Sequence, residues 1–342
     1  MLLALLSAFL FSLSTPFSKV LLSQISPFQL AGLLYLGGAI GVFPFVLKSY
    51  LTRLKNPATA EYRTTRKGYL IGAVFFGGIL GPVFMLFGLK YAMSSSVALW
   101  LNMELIFTAI LGHLFFKDRI SRFTWFSIAA IITASILISF GEGPSGLLSA
   151  LFVSLACFCW GLDNNYTSLI DNISPSQSTF IKGIVAGAIN LLIGCLISGG
   201  WNIPIYETFI AITLGCFAYG LSITLYITSA QSIGAVRGQI IFSTAPFIAV
   251  LLSVLFLKEK LTAFHIAAMF IYAASLLFVA LEKHDHEHTH EDLEHVHSHR
   301  HDDEHHDHIH EEKDNVVVHS HFHKHKPTIH AHFHFPDLHH RH

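Results

Sequence analysis

Apolar residues in this chain fall into long unbroken stretches, and polar residues gather in the short connections between them. A stretch of about 17 to 25 apolar residues spans about 30 Å of hydrocarbon as a helix. Residues 1–283 divide into ten such stretches, near 2–22, 29–47, 69–90, 94–116, 122–140, 146–169, 178–198, 207–228, 233–257 and 263–281. The first has the length of a secretory leader, yet no Lys or Arg precedes it and no small-residue cleavage site follows, so it reads as a span. The predicted fold class is all-α, a polytopic membrane protein of ten transmembrane helices.

The stretches repeat. Lys117-Asp118-Arg119-Ile120-Ser121 after the fourth returns 141 residues later as Lys258-Glu259-Lys260-Leu261-Thr262 after the ninth. Ile25-Ser26-Pro27 after the first is echoed by Ile173-Ser174-Pro175 after the sixth. This predicts two five-helix repeats, 1–141 and 142–283. Five is odd, so the second enters the bilayer from the opposite side. Inverted repeats are the architecture of secondary transporters, whose substrate site lies near the midplane between rocking halves.

Composition supports a membrane body and adds a second part. Charged residues make up 13% of the chain and apolar residues 52%, too few charges to cover a water-facing surface. The net charge of −1 sums +7 over Met1 to Lys283 and −8 over a tail, 284–342, that holds 22 of the 24 histidines. Neither part reads as a nucleic-acid binder. Lys and Arg concentrate in cytoplasmic connections. With the N-terminus inside, twelve fall on the inner side and four, Lys19, Lys90, Lys258 and Lys260, on the outer. The expected location is therefore the inner (cytoplasmic) membrane, with both termini cytoplasmic. All four cysteines lie in apolar stretches and read as small packing residues.

The body resembles the EamA-like branch of the drug/metabolite transporter superfamily. The runs that carry the likeness are Gly81-Pro82 with Gly88-Leu89-Lys90-Tyr91, Leu101-Asn102-Met103-Glu104 with Phe107-Thr108-Ala109, and Cys159-Trp160-Gly161-Leu162-Asp163-Asn164-Asn165. Lys182-Gly183 with Ala186-Gly187 and Ala245-Pro246-Phe247-Ile248 look like the same family. The resemblance implies ten helices, cytoplasmic termini and movement of a small metabolite or drug. One departure is Leu105, where the family often has proline after the glutamate, so a proline kink is not implied in that helix.

Ionisable side chains inside hydrocarbon are costly and mark substrate or proton paths. Glu104 lies about halfway along the fourth stretch and Asp163 in the inner half of the sixth. Trp100 precedes Glu104 by one helical turn and Trp160 precedes Asp163 and Asn164 likewise, a spacing that puts each acid on a face with an indole. A polar group beside an aromatic wall suits an amphipathic organic substrate. Either acid is also a candidate for proton exchange; the bland reading is that each only fastens helices. Asn165 is a candidate hydrogen-bond donor to substrate. Lys182 and Arg237, near the inner starts of the seventh and ninth stretches, read as headgroup anchors or as a gate facing Asp163. Gly81, Pro82 and Pro246 are expected helix breaks. His113 and His265, near helix ends, read as interfacial packing.

The tail repeats histidine at every second position, through His284, His286, His288 and His290, then His295, His297, His299 and His301, then His319, His321, His323 and His325, with His330 to His334 beyond. Imidazole ligates Zn, Ni and other transition metals, and interspersed acids add charge. No cofactor is required, but the tail is expected to bind a divalent metal such as Zn, Ni or Co. Its composition cannot bury enough apolar surface to build a core, so the tail, 284–342, is expected to be disordered. The zinc-protease pattern at His286-Glu287-His288-Thr289-His290 arises from composition alone, as does G-x-G-x-x-G at Gly141 to Gly146.

The reading is a secondary transporter, an exporter of a small organic metabolite or drug working by alternating access, and not an enzyme. Expected partners are the bilayer, the substrate and divalent metal ions, with a homodimer compatible. The rivals are a Zn, Ni or Co efflux protein, disfavoured by the lack of His and acid clusters in the spans, and a membrane-anchored metal sensor that transports nothing.

Overall fold

The computed structural model describes residues 1–55, 67–116, 122–170, 173–233, 241–281 and, in the tail, 285–290, 294–299, 319–324 and 328–333. The chain forms two units, a helical body and a histidine-rich segment from Lys283 to Phe335, and each is described by itself.

The body opens with helices α1 (Leu2–Ser12) and α2 (Ser14–Leu21), then the 29-residue α3 (Pro27–Lys55). A continuous helical run follows: α4 (Lys67–Gly72), a π-helical segment (Ala73–Leu80) and α5 (Gly81–Tyr91). Next are α6 (Ser94–Trp100), α7 (Met103–Phe116), α8 (Arg122–Glu142), α9 (Pro144–Ser168) and α10 (Pro175–Ile197). A second run contains α11 (Ile205–Gly215), a π-helical segment (Cys216–Leu221) and α12 (Ser222–Ile233). The body ends with α13 (Ala245–Leu257) and α14 (Ala263–Leu281).

Among the described residues, eight helical runs, from Leu2–Leu21 to Ile205–Ser229, are long and apolar enough to cross a membrane, and two shorter apolar helices, Ala245–Leu257 and Ala263–Phe278, follow. Local chemistry sets several boundaries. Ser174 accepts from the Gln177 backbone N–H while the Gln177 side chain accepts from the Ser174 N–H, a capping box that starts α10 with Pro175 in its first turn. The same sequence pattern starts α3, where the Gln29 N–H donates to Ser26 Oγ and the Ser26 hydroxyl to Gln29 Oε1. Lys258 ends α13 in the left-handed region at φ 56°.

Helix contacts are pseudo-symmetric. α3 packs along α10, and α8 along α14. The α5–α9 and α7–α9 contacts are mirrored by α1 against α12 and α13. The π-helical segments end at Leu80 and Leu221, 141 positions apart, which is the spacing of the repeated Lys117 and Lys258 motifs. Non-helical turns at Leu101-Asn102 and Ser243-Thr244 stand 142 positions apart, one more than that spacing. Reciprocal serine bonds tie equivalent helices: the Ser127 hydroxyl donates to Ser275 O (3.1 Å) and the Ser275 hydroxyl to Ser127 O (3.4 Å). Small residues permit close approach. A Cβ on Gly215 would stand 2.1 Å from Leu34 O, and one on Gly37 2.2 Å from Ile212 O.

Large apolar side chains such as Phe140, Ile205, Phe209 and Phe270 face outward, as they do in a protein solvated by lipid. The core is lined by small and aliphatic residues with Trp100 and Tyr272 fully enclosed.

Two expected helix breaks resolve differently. At Gly81-Pro82 the helix is not interrupted: the preceding π-helical turn absorbs the amide that proline lacks, and helix continues to Tyr91. At Pro246 the chain does leave the helix, through Ser243-Thr244, before α13 starts. The fourth stretch breaks at Leu101-Asn102 without any proline; the Asn102 side chain there donates to Leu99 O (2.9 Å).

The tail departs from the expected disorder over four short segments, where backbone pairing replaces a core: β1 (Asp285–His290) pairs antiparallel with β4 (Thr328–Phe333), and β2 (Glu294–His299) with β3 (His319–Lys324). The register sets His286 opposite His332, His288 opposite His330, His295 opposite His323, His297 opposite His321 and His299 opposite His319.

Candidate functional site

The break in the fourth stretch starts α7 at Met103 and puts Glu104 in its first turn, midway along the stretch. Glu104 meets α9, where the Asn164 amide donates to Glu104 Oε1 (2.8 Å) and to Thr108 Oγ1 (3.2 Å). One residue earlier in α9, Asp163 turns toward α10 and accepts a hydrogen bond from Lys182 Nζ at 2.5 Å. Thr167 stands between them, donating to Asp163 Oδ1 (2.9 Å) and accepting from Lys182 Nζ (3.1 Å).

A third participant is the π-helical segment Ala73–Leu80. Its widened turns leave the Gly77 carbonyl to outside donors, and it receives two, Trp160 Nε1 (3.1 Å) and the Tyr35 hydroxyl (2.6 Å). Gly77 has to lack a side chain, because a Cβ there would fall 2.1 Å from Asp163 Oδ2. Gly81 likewise makes room for the Trp160 indole. Asn190 of α10 donates to Gly78 O (3.2 Å). Glu104, Asp163, Trp160, Tyr35 and Lys182 all keep partial exposure, and Asn164 is exposed. Residues from both predicted repeats thus meet around one accessible polar cluster.

One end of the body carries a second, more enclosed polar network. The Glu259 carboxylate accepts the Ser94 N–H (2.7 Å) and Ser95 N–H (2.9 Å). Glu142 accepts the Met93 N–H (3.3 Å) and the Ser96 hydroxyl. His265, fully buried, bonds Ser96 Oγ through Nε2 (2.7 Å) and Thr262 Oγ1 through Nδ1 (2.8 Å). Lys19 Nζ closes the same end by donating to Leu89 O (2.7 Å) and Ala92 O (2.8 Å). Lys19, Lys90, Lys258 and Lys260, which the sequence pattern puts on one side of the membrane, lie in or beside these connections.

The sequence profile of the EamA-like transporter family matches residues 1–140 and 147–281. The chain belongs to the EamA-like transporter family. As an EamA-like protein of the drug/metabolite transporter superfamily it is a secondary transporter in general type. It is 23% identical over 266 residues to an uncharacterized transporter of Methanothermobacter thermautotrophicus, covering 73% of this chain and 76% of that one. A crystal structure described only as that of a protein superposes with a TM-score of 0.58 at 14% identity, over 82% of this chain and 96% of its own, and shows a shared fold.

Of the residues that the sequence singled out in this EamA-like chain, the structure gathers Glu104, Asp163, Trp160, Asn164 and Lys182. Asn165 lies beside them but is spent on Gly161 O (2.8 Å) and Thr108 O (3.2 Å), fastening α9 to α7. Trp100 stands apart. The turn at Leu101-Asn102 destroys the helical relation to Glu104, and the indole is enclosed, donating to Ser135 O (3.0 Å). Arg237, His284, His301 and His325 lie outside the described residues, as does the Lys117 to Ser121 run. Among the described residues, no three His, Cys, Asp or Glu side chains converge as a metal centre.

Sequence reasoning did not single out Tyr35, Thr108, Thr167, Glu142 or Glu259 as functional, and read His265 as interfacial packing. A Tyr or Thr in an apolar stretch carries no signal of its own. Glu259 did carry one, as part of the repeated motif.

Proposed function

We propose that this EamA-like protein exports a small organic metabolite by alternating access between two inverted five-helix halves, 1–141 and 142–283, ten spans in all. The supporting observation is the contrast between its two polar networks. The mid-helix cluster around Glu104 and Asp163 is partly exposed, with side chains from both halves. In the second network His265 and Ser94 to Ser96 are fully buried, with Glu142 and Glu259 fastening them from partly exposed positions, and it also joins both halves. A site open at one time to one face alone is what rocking halves require.

In this reading the enclosed end is the outer one, both termini are cytoplasmic, and the site faces the inner side of the cytoplasmic membrane. Rocking breaks the Glu259 and Glu142 bonds to residues 93–96 and opens the site outward. Glu104, whose carboxylate has only the neutral Asn164 amide as a partner among the described residues, is the group that exchanges a proton or meets the substrate. Asp163 and Lys182 neutralise each other and hold α9 against α10.

The test is an untargeted mass-spectrometric comparison of small solutes inside and outside cells with the native protein, with Glu104→Gln, and without either. At least one organic solute is expected to be depleted inside only when the native protein is present. No such solute, together with a changed tolerance to Zn, Ni or Co, would replace this reading with metal efflux.

The tail, 284–342, is a separate binder of divalent Zn, Ni or Co. The backbone register of β1 with β4 and of β2 with β3 supports this, because it sets five histidine pairs at cross-strand positions. Zinc titration of full-length and tail-deleted protein tests it: binding of several ions is expected only with the tail.

A further inference from the structure

The charge around the mid-helix cluster does not balance. Asp163 and Lys182 form an ion pair, and the Lys182 ammonium is committed further to Thr167. Glu104 has no cationic partner among the described residues; its carboxylate receives only the Asn164 amide. One carboxylate, halfway along the helices and partly exposed, is therefore left for something else to neutralise.

The groups around it are aromatic. Tyr226 packs on Phe242 with ring centroids 4.7 Å apart, Phe242 on Phe11 at 5.2 Å, Phe11 on Tyr219 at 6.2 Å and Tyr219 on Tyr35 at 5.6 Å. Trp160 joins the far end of this chain of rings, because it shares the Gly77 carbonyl with Tyr35. Glu104 bonds Asn164 of α9, whose neighbour Asp163 abuts Gly77, so the carboxylate and the Tyr35–Trp160 end of this chain of rings belong to one cluster. The rings come from α1, α3, α9, α12 and the second π-helical segment, so both halves contribute. Tyr35, Trp160, Tyr226 and Phe242 keep partial exposure.

Aromatic faces attract cations through the ring quadrupole and offer nothing comparable to an anion. A carboxylate without a counter-charge in a low-dielectric setting adds to that preference. An anionic solute would meet Glu104 unscreened and would have to take Lys182 from Asp163, leaving that acid buried and unpaired. A neutral solute would leave Glu104 to be neutralised by a proton alone and would gain nothing from the carboxylate.

We infer that the substrate is an organic cation, an amine or quaternary ammonium on an apolar or aromatic body, with its charge at Glu104 and its body against Tyr35, Trp160, Tyr226 and Phe242. This rests on the transporter reading above and narrows it to one chemical class.

The test uses purified full-length protein in nanodiscs and three probes of similar shape: benzyltrimethylammonium, its neutral carbon isostere neopentylbenzene, and phenylacetate. Equilibrium dialysis is expected to show saturable binding of the cation at least about tenfold tighter than of either other probe, in line with a desolvated cation–π contact plus a charge pair. Glu104→Gln is expected to remove that preference while leaving the weak binding of the neutral probe as it was. Tyr226→Leu, which keeps every carboxylate, is expected to weaken the cation several-fold and serves if Glu104→Gln does not fold. Equal binding of cation and neutral probe, tighter binding of phenylacetate, no saturable cation binding at millimolar concentration, or an unchanged preference in a folded Glu104→Gln each overturns the inference. The transporter reading fails separately: export of a neutral or anionic solute in cells would leave it standing while the cation inference falls, and selective cation binding with no solute exported would do the reverse.

Discussion

Lys182 Nζ lies 2.5 Å from Asp163 Oδ1, joining α10 to α9 inside the helical body, with both side chains about six-sevenths buried. A buried pair adds little net stability over an apolar replacement, but losing one partner strands the other, at a cost of about 3–5 kcal/mol. Asp163→Asn or Lys182→Met alone is therefore expected to lower the thermal midpoint in detergent strongly, and the double variant to recover much of the loss. If the double variant is as unstable as the sum of the two singles, the two groups do not act as a pair.

The Gly77 carbonyl supports a different kind of non-additivity. It accepts from both Trp160 Nε1 and the Tyr35 hydroxyl. Trp160→Phe or Tyr35→Phe leaves it one donor, so each is expected to cost about 1 kcal/mol. The double variant orphans a buried carbonyl and should cost more than the two singles together. Chemical or thermal denaturation of the four proteins reads this directly; strict additivity would mean that the carbonyl finds another donor.

Close helix approach sets the third expectation. Gly215→Ala and Gly37→Ala place a methyl within about 2.2 Å of backbone carbonyls, which cannot rotate away. Each should destabilise the body by about 1–3 kcal/mol. Gly68→Ala meets open space and is expected to be neutral. Melting curves of the three variants, with equal loss at all three positions, would deny that contact with α3 is the cause.

The enclosed end should be held by Glu259. Its carboxylate satisfies two N–H groups at the start of α6, and loss of such a cap costs about 0.5–2 kcal/mol. In a background without the four native cysteines, a Ser95→Cys probe is expected to react with a water-soluble maleimide several-fold faster in Glu259→Ala than with Glu259 intact. An unchanged rate would show that this end is closed by apolar packing alone.

Much of this was legible along the chain. Long apolar stretches cannot be accommodated in water, so length and hydropathy revealed membrane helices, and most span boundaries fall within a few residues of those observed. The long third helix ran past its expected end, to Lys55, because its last turns are amphiphilic rather than apolar. The break before Glu104 was not legible, since it has no proline and rests on a turn that the Asn102 side chain stabilises. That one turn moved Trp100 away from the site that its spacing had suggested.

The sequence by itself determined the membrane character of the body, the repeated motifs, the family and the unusual residues Glu104 and Asp163, because composition and spacing carry these directly. Which carboxylate is neutralised was decided only by tertiary structure. Glu104 and Asp163 look alike as isolated acids in apolar stretches, and what separates them is that Asp163 faces Lys182 across a helix interface while Glu104 faces an amide. Pairing across helices depends on rotation and depth, which no one-dimensional pattern specifies. The same holds for Glu259, whose role follows from its distance to two N–H groups 165 and 164 residues away in the chain.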